Sequence, residues 1–199
     1  MQEISVKQER LDSLSVPRVS WNTALSVVAS TVLVAICAHI SVPLGFTPVP
    51  VTMQTFAVLL LGLLFAPGAA FACLSLYLME GAFGLPVFSP HGPGGVAQLL
   101  GPTGGYLLSY PFAAALASAL YRRWGRSFWS GLGGASLASL VILGAGSIWL
   151  ATLTHAKLSA VVAQSALPFL PGDALKLLAA AACAKVLGSF GKHLRNRTI

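Results

Sequence analysis

Formal charge is missing from three long stretches of the chain, residues 19–79, 81–121 and 127–156, which are 61, 41 and 30 residues long. Apolar positions run on continuously within them, without the alternation of a barrel strand, so the backbone must satisfy its own polar groups as helix. A crossing of the hydrocarbon takes about 20 mostly apolar residues, and Pro and Gly clusters cut the runs at matching intervals. The pattern predicts six helices: Trp21 to Ile40, Val51 to Phe65, Ala69 to Phe83, Tyr106 to Tyr121, Phe128 to Leu153 and Asp173 to Leu187. The expected fold class is an all-α integral membrane protein, a single six-transmembrane-helix bundle over residues 19–191. Polar tails are expected at 1–18 and 192–199.

Six crossings return both termini to one face, and the excess of cations in cytoplasmic segments tests that arrangement. Lys7, Arg10 and Arg18 precede the first helix; Arg122, Arg123 and Arg126 separate the fourth from the fifth; Lys185, Lys192, Arg195 and Arg197 end or follow the sixth. Only Lys157 and Lys176, of the 12 Lys and Arg residues, fall at the other face, with Glu80, Asp173, His91 and His155. Both termini are therefore expected to be cytoplasmic, in a multi-pass membrane protein in contact with lipid.

Composition narrows the classes further. Charged residues make up 9% of the chain, against about 25% in a soluble domain. The net charge of +7 does not imply nucleic acid, because the cations end apolar runs instead of forming a basic stripe on a solvated fold. Cys37, Cys73 and Cys183 are isolated and lack C-x-x-C spacing, as expected of free thiols packed among helices. The stretch after residue 18 is too long for the h-region of a signal peptide.

The candidate chemistry gathers at the face opposite the tails. Connections 1/2, 3/4 and 5/6 are long and rich in Pro, Gly, Thr and His, and irregular backbone survives at membrane depth only where it is buried in protein or lines a cavity. Asp173 and Lys176, three residues apart, share a helical face. Two roles are open to them: an N-cap with an ion pair, or a carboxylate for ligand N–H groups with a cation for a ligand carboxylate. Glu80 either lines the cavity entrance or pairs with Lys157. No metal site is expected from His91, His155, Asp173 and Glu80, since none lies within a turn of another. The run Gly101-Pro-Thr-Gly-Gly-Tyr106 lacks the Lys of a phosphate loop; Thr103, Gly104 and Gly105 would instead let backbone approach a ligand, with Tyr106 stacking or donating. Trp21, Trp124, Trp129 and Trp149 read as interface anchors. Small residues at four-residue spacing, as in Ala113-x-x-x-Ala117 and Gly131-x-x-x-Ala135-x-x-x-Ser139, read as close helix contacts.

Four motifs in order make the chain similar to a known family. They are Pro48-Val-Pro-Val-Thr-Met-Gln-Thr55, Leu85-Pro-Val-Phe88, Gly101-Pro-Thr-Gly-Gly-Tyr106, and Pro171-Gly-Asp173 with Lys176. Over residues 20–190 the chain resembles the BioY biotin transporters, the substrate-binding S-components of energy-coupling factor transporters. The resemblance implies a six-helix bundle holding biotin near the outer surface, under connections 1/2 and 3/4. Asp173 would contact the polar head, with Lys176, Tyr106 and the 101–105 backbone nearby, and with Thr52, Gln54, Glu80 and His91 as further candidates. It implies uptake without catalysis and without a cofactor, and partners in a transmembrane coupling protein and two ATP-binding subunits; a homo-oligomer is left open. Two alternatives stand beside it. A rhomboid-like intramembrane enzyme would use Gly144-Ala-Gly-Ser147 with His155, and an ion-coupled permease would use Asp173 and Glu80 as proton carriers.

Overall fold

The computed structural model describes residues 21–195. In chain order they form helix α1 (Trp21–His39), strands β1 (Ser41–Val42) and β2 (Val51–Thr52), and helices α2 (Gln54–Leu64), α3 (Pro67–Ala82), α4 (Gly95–Leu100), α5 (Gly104–Arg123), α6 (Phe128–Thr154) and α7 (Leu158–Ser165). A 3-10 turn, Leu167–Phe169, then leads into α8 (Leu170–Arg195). The predicted long helices are all present among the described residues, with shifted ends. The expected tail 1–18 and residues 196–199 lie outside the described residues, and α8 continues to Arg195, into the expected C-terminal tail.

Three boundary differences shape the functional end of the bundle. The second helix starts at Gln54 instead of Val51, because Val51 and Thr52 pair antiparallel with Val42 and Ser41 in a two-residue ladder. Connections 3/4 and 5/6 are not irregular throughout: α4 and α7 occupy their middles. The last helix begins three residues before Asp173, the 3-10 turn passing directly into it at Leu170. Pro171 is tolerated there because first-turn N–H groups have no helical acceptor. Asp173 is thus a first-turn residue and not the N-cap.

The outside of the bundle is apolar as well as its core. The described part of α1 buries Ser30, Thr31, Val34, Cys37 and Ala38, and exposes Leu25, Val28, Val32 and Ile36. Outward apolar rows of this kind suit hydrocarbon. Among the described residues, Phe128–Thr154 and Leu158–Gly188 are long and apolar enough to cross a membrane, while Leu25–His39 and Gln54–Leu64 are shorter apolar helices.

Inside, small residues set the spacing. α6 turns Gly131, Gly134, Ala135 and Ala138 inward, and a Cβ on Gly134 would come within 3.1 Å of the Ala117 carbonyl oxygen of α5. On α2, a Cβ at Gly62 would stand 2.7 Å from the Ala114 carbonyl oxygen. α8 follows with Ala180, Ala181 and Ala184 buried below Asp173 and Lys176, a stripe at helical spacing. The four-residue spacing of small residues therefore serves contacts within the chain. In α1 the residues Ser30 and Thr31 also point inward, their hydroxyls bonded to the carbonyls of Ser26 and Val28.

Connection 3/4 is pinned by two buried side chains. Tyr77, fully buried on α3, donates its hydroxyl to the Val87 carbonyl (2.9 Å) and accepts from the Gln54 amide (2.6 Å). The Phe88 ring lies edge-on to Tyr77, in the space that a side chain at Gly81 would take. Gln98 on α4 accepts from the Gly94 N–H (3.1 Å) and donates to the Ser89 carbonyl (3.3 Å).

Substituting Gly62→Val will lower the melting temperature of the purified chain by several degrees, an overpacking cost of about 1–3 kcal/mol, whereas Gly68→Ala, which meets open space, will leave it nearly unchanged. Tyr77→Phe strands the Gln54 amide and the Val87 carbonyl; a loss of about 1–3 kcal/mol is expected, read as earlier proteolysis of connection 3/4.

Candidate functional site

A cavity with an empty volume of about 540 Å³, mouth included, opens where the β1–β2 hairpin, connection 3/4 and the start of α8 converge. Leu107, Tyr110, Ile142, Leu143 and Phe169 supply the apolar wall. The polar wall consists of Thr52, Gln54, Thr55, Ser89, Gln98, Thr103, Tyr106, Asp173 and Lys176.

Its electrostatic centre is a buried ion pair. Lys176 Nζ lies 3.1 Å from Asp173 Oδ1, on one face of the first turns of α8. The second carboxylate oxygen accepts from Ser139 Oγ of α6 at 3.1 Å, and Lys176 Nζ also donates to Thr55 Oγ1 of α2 at 3.1 Å. Asp173 is 5% exposed and Lys176 8%, so each charge needs the other and its hydroxyl partner to stay out of water. The pair is not saturated. An ammonium has three N–H donors and a carboxylate about four acceptor positions; two of each are engaged by the chain.

A second feature of the wall is an orphan. Ser89 Oγ is buried, lines the cavity and has no hydrogen-bond partner among the described residues. A buried hydroxyl left unpaired is uncommon, and here the residue lines the cavity.

Of the residues singled out from sequence, Asp173, Lys176, Tyr106, Thr103, Thr52 and Gln54 come together on this wall. Tyr106 is only partly available, since its hydroxyl donates to the Ser165 carbonyl (2.9 Å) and its ring packs over Gly146. Four others stand away from the cavity. Gly104 and Gly105 pack against the Leu99 carbonyl and against Trp149 and the Ala145 carbonyl, so their missing side chains let α5 approach α4 and α6. His91 is an exposed clasp between connections, its Nδ1 3.0 Å from Ser41 Oγ of β1. Glu80 is half-buried at the end of α3, and no ion pair joins it to Lys157 among the described residues. Trp149 is a packing residue whose Nε1 donates to the Gly101 carbonyl at 2.9 Å. Sequence reading missed Ser89, Thr55 and Ser139. The one signal available for Thr55 was its place at the end of the 48–55 motif.

The nucleophile required by the enzyme alternative is not assembled. Ser147 is 2% exposed and bonds to Ser165 Oγ at 3.4 Å, while His155 is an exposed residue in left-handed conformation (φ 54°) beyond the end of α6.

Comparison with known proteins identifies the family. The BioY family model matches residues 9–192. The Pyrococcus horikoshii protein named "Probable biotin transporter BioY" is 38% identical over 78% of this chain and 89% of its own length. The Thermotoga maritima "Biotin transporter BioY" is 32% identical over 76% of this chain and 86% of its own. In fold, the chain is similar to a crystal structure of the S-component for biotin from an ECF-type ABC transporter, with a TM-score of 0.77 and 24% identity over 85% of this chain and 94% of that one. A family model matched over most of the chain and relatives aligned along most of their length lead to one assignment: this chain belongs to the BioY family.

Proposed function

We propose that this chain is the substrate-capturing subunit of an energy-coupling factor transporter and that it binds biotin in the cavity beside Asp173 and Lys176. The observation that carries the reading is a buried ion pair with unused hydrogen-bonding capacity on the wall of an otherwise apolar pocket. Biotin's ureido group offers two N–H donors and one carbonyl acceptor. The free acceptor positions of Asp173 and the third N–H of Lys176 match them in type. Because Lys176 spends its charge on Asp173, the pair suits this neutral head better than a carboxylate. Leu107, Ile142, Leu143 and Phe169 enclose the bicycle, and the carboxylate end falls to the polar wall of Ser89, Thr103 and Thr52.

The six longer helices cross the bacterial inner membrane, with both termini in the cytoplasm and the cavity at the outer face. The clustering of Lys and Arg in the tails and the α5–α6 turn supports this orientation. Release inward requires energy that the chain cannot draw from ATP itself, since its Gly-rich run lacks a phosphate-binding Lys. A transmembrane coupling protein with two ATP-binding subunits supplies that step. The ligand is cargo, and the chain uses no cofactor.

Saturating biotin will raise the melting temperature of the full chain in detergent by several degrees, with a smaller rise for dethiobiotin and none for thiamine or riboflavin; a flat response to biotin sinks the reading. Asp173→Asn will weaken biotin binding by about 10- to 100-fold, the loss of a charged hydrogen-bond acceptor. Ser89→Ala will weaken it by about 2- to 10-fold while leaving the ligand-free melting temperature in place, since that hydroxyl has no protein partner to lose.

A further inference from the structure

A second cleft, with an empty volume of about 820 Å³, lies between the ends of α2, α5 and α8. It sits far from the first. Along α8, Lys185 follows Asp173 by 12 residues, about 18 Å at helical rise, and along α5 Arg122 follows Tyr106 by 16, about 24 Å. Three cations line it, Arg122, Arg126 and Lys185, beside the apolar Leu63 and Leu64. The carboxylates among the described residues, Glu80 and Asp173, belong to the opposite end.

The side chain of Arg122 and the backbone of Arg126 are held in place. Arg122 donates through Nε to Ser118 Oγ (3.3 Å), and that hydroxyl in turn donates to the Phe65 carbonyl at the end of α2. A guanidinium has five N–H donors, so anchoring through Nε leaves the terminal amino groups to meet an anion as a fork. Arg126 adopts a left-handed conformation (φ 53°) directly after Gly125 (φ 91°). Positive φ at a residue other than Gly is uncommon and costs free energy unless the surroundings impose it. Here Tyr121 does so from both sides: its carbonyl accepts the Arg126 N–H (3.0 Å) and its hydroxyl donates to the Arg126 carbonyl (3.3 Å). A strained turn thereby returns the second guanidinium to the cleft that already holds the first. Among the described residues, an added Cβ at Gly188 would meet nothing within 4 Å.

We propose that this cleft is a binding site for the phosphate headgroup of an anionic phospholipid, with Arg122 and Arg126 on the phosphate and Leu63 and Leu64 beside the first carbons of the acyl chain. Charge complementarity selects an anion, and adjoining apolar walls select an amphiphile over a free one.

Native mass spectrometry of the full chain, released from detergent containing equal phosphatidylglycerol and phosphatidylcholine, tests this. One phosphatidylglycerol is expected to be retained in preference to phosphatidylcholine. Each cation removed should lower its retention by about fivefold, so Arg122→Gln with Arg126→Gln should nearly abolish it, while Arg126→Lys keeps most of it. Raising salt from about 0.05 to 0.5 M should weaken retention in the unaltered chain by screening. Circular dichroism melting checks the fold of the variants; if the double variant does not fold, Arg122→Gln alone and the salt series decide. Equal retention of the two lipids, or retention indifferent to these changes, overturns the proposal. So does displacement of the lipid by millimolar inorganic phosphate, which would mark a free-anion site. A lipid that binds only after Glu3→Gln, Glu9→Gln and Asp12→Asn would show that the chain's own tail fills the cleft. Failure of biotin to bind would leave each of these readouts unaffected.

Discussion

Two opposite charges held out of water govern the arrangement of this bundle. Burying an ion is costly by several kcal/mol even after relaxation, and a pair recovers that only with good geometry and further hydrogen bonds. Asp173 and Lys176 obtain both by enlisting Ser139 of α6 and Thr55 of α2. The ion pair thus fixes the azimuth of α8, because only one rotation brings both side chains to those two hydroxyls. It also fixes which residues lie beneath: the alanines at 180, 181 and 184 continue the same inward stripe and let α8 sit close to its neighbours. Charge at the rim and small side chains below are parts of one constraint.

The short α2 makes room for the site. At 11 residues it rises about 16 Å, roughly half the hydrocarbon thickness of about 30 Å. The β1–β2 ladder and the residues between its strands precede α2, and Val49, Pro50 and Thr52 of this segment line the cavity. Backbone groups in that region are satisfied locally, as in the Met53 N–H bonded to the Ile40 carbonyl at 3.0 Å. Tyr77 performs the same service for connection 3/4. The cavity roof is therefore irregular in shape and anchored by hydrogen bonds at both of its edges.

Much of this was legible in the sequence, and the part that was not has a common physical cause. The long helices follow from charge-free apolar runs and their Pro and Gly breaks, since only backbone self-satisfaction is tolerated there. Asp173 and Lys176 stood out because charge inside such a sequence is expensive and their spacing shares a face. The start of α8 was hidden because Pro171 and Gly172 read as breakers, whereas the 3-10 turn before them continues straight into the helix. Gly104 and Gly105 read as a ligand-approaching loop, yet their neighbours are Leu99, Ala145 and Trp149, residues brought near only by packing. Trp149 looked like an interface anchor because amphipathic rings favour that depth, and its bond to Gly101 depends on a partner 48 residues away. Ser89 carried no signal: a serine in a loop is ordinary until its surroundings deprive it of water and partners. One-dimensional patterns specify what lies along a helix, while the neighbour across a contact is a property of the assembled bundle.

The mutual cancellation of Asp173 and Lys176 also has an electrical meaning. The two fixed charges within the bundle sum to zero, so the transmembrane voltage exerts little net pull on this part of the protein. On the proposed reading the cargo is a monoanion, and carrying it inward against an interior-negative potential opposes transport by about 2.3 kcal/mol per 100 mV. A carrier whose own walls are electrically silent cannot borrow that work from the field. Accumulating such an anion then falls entirely to an external source of energy.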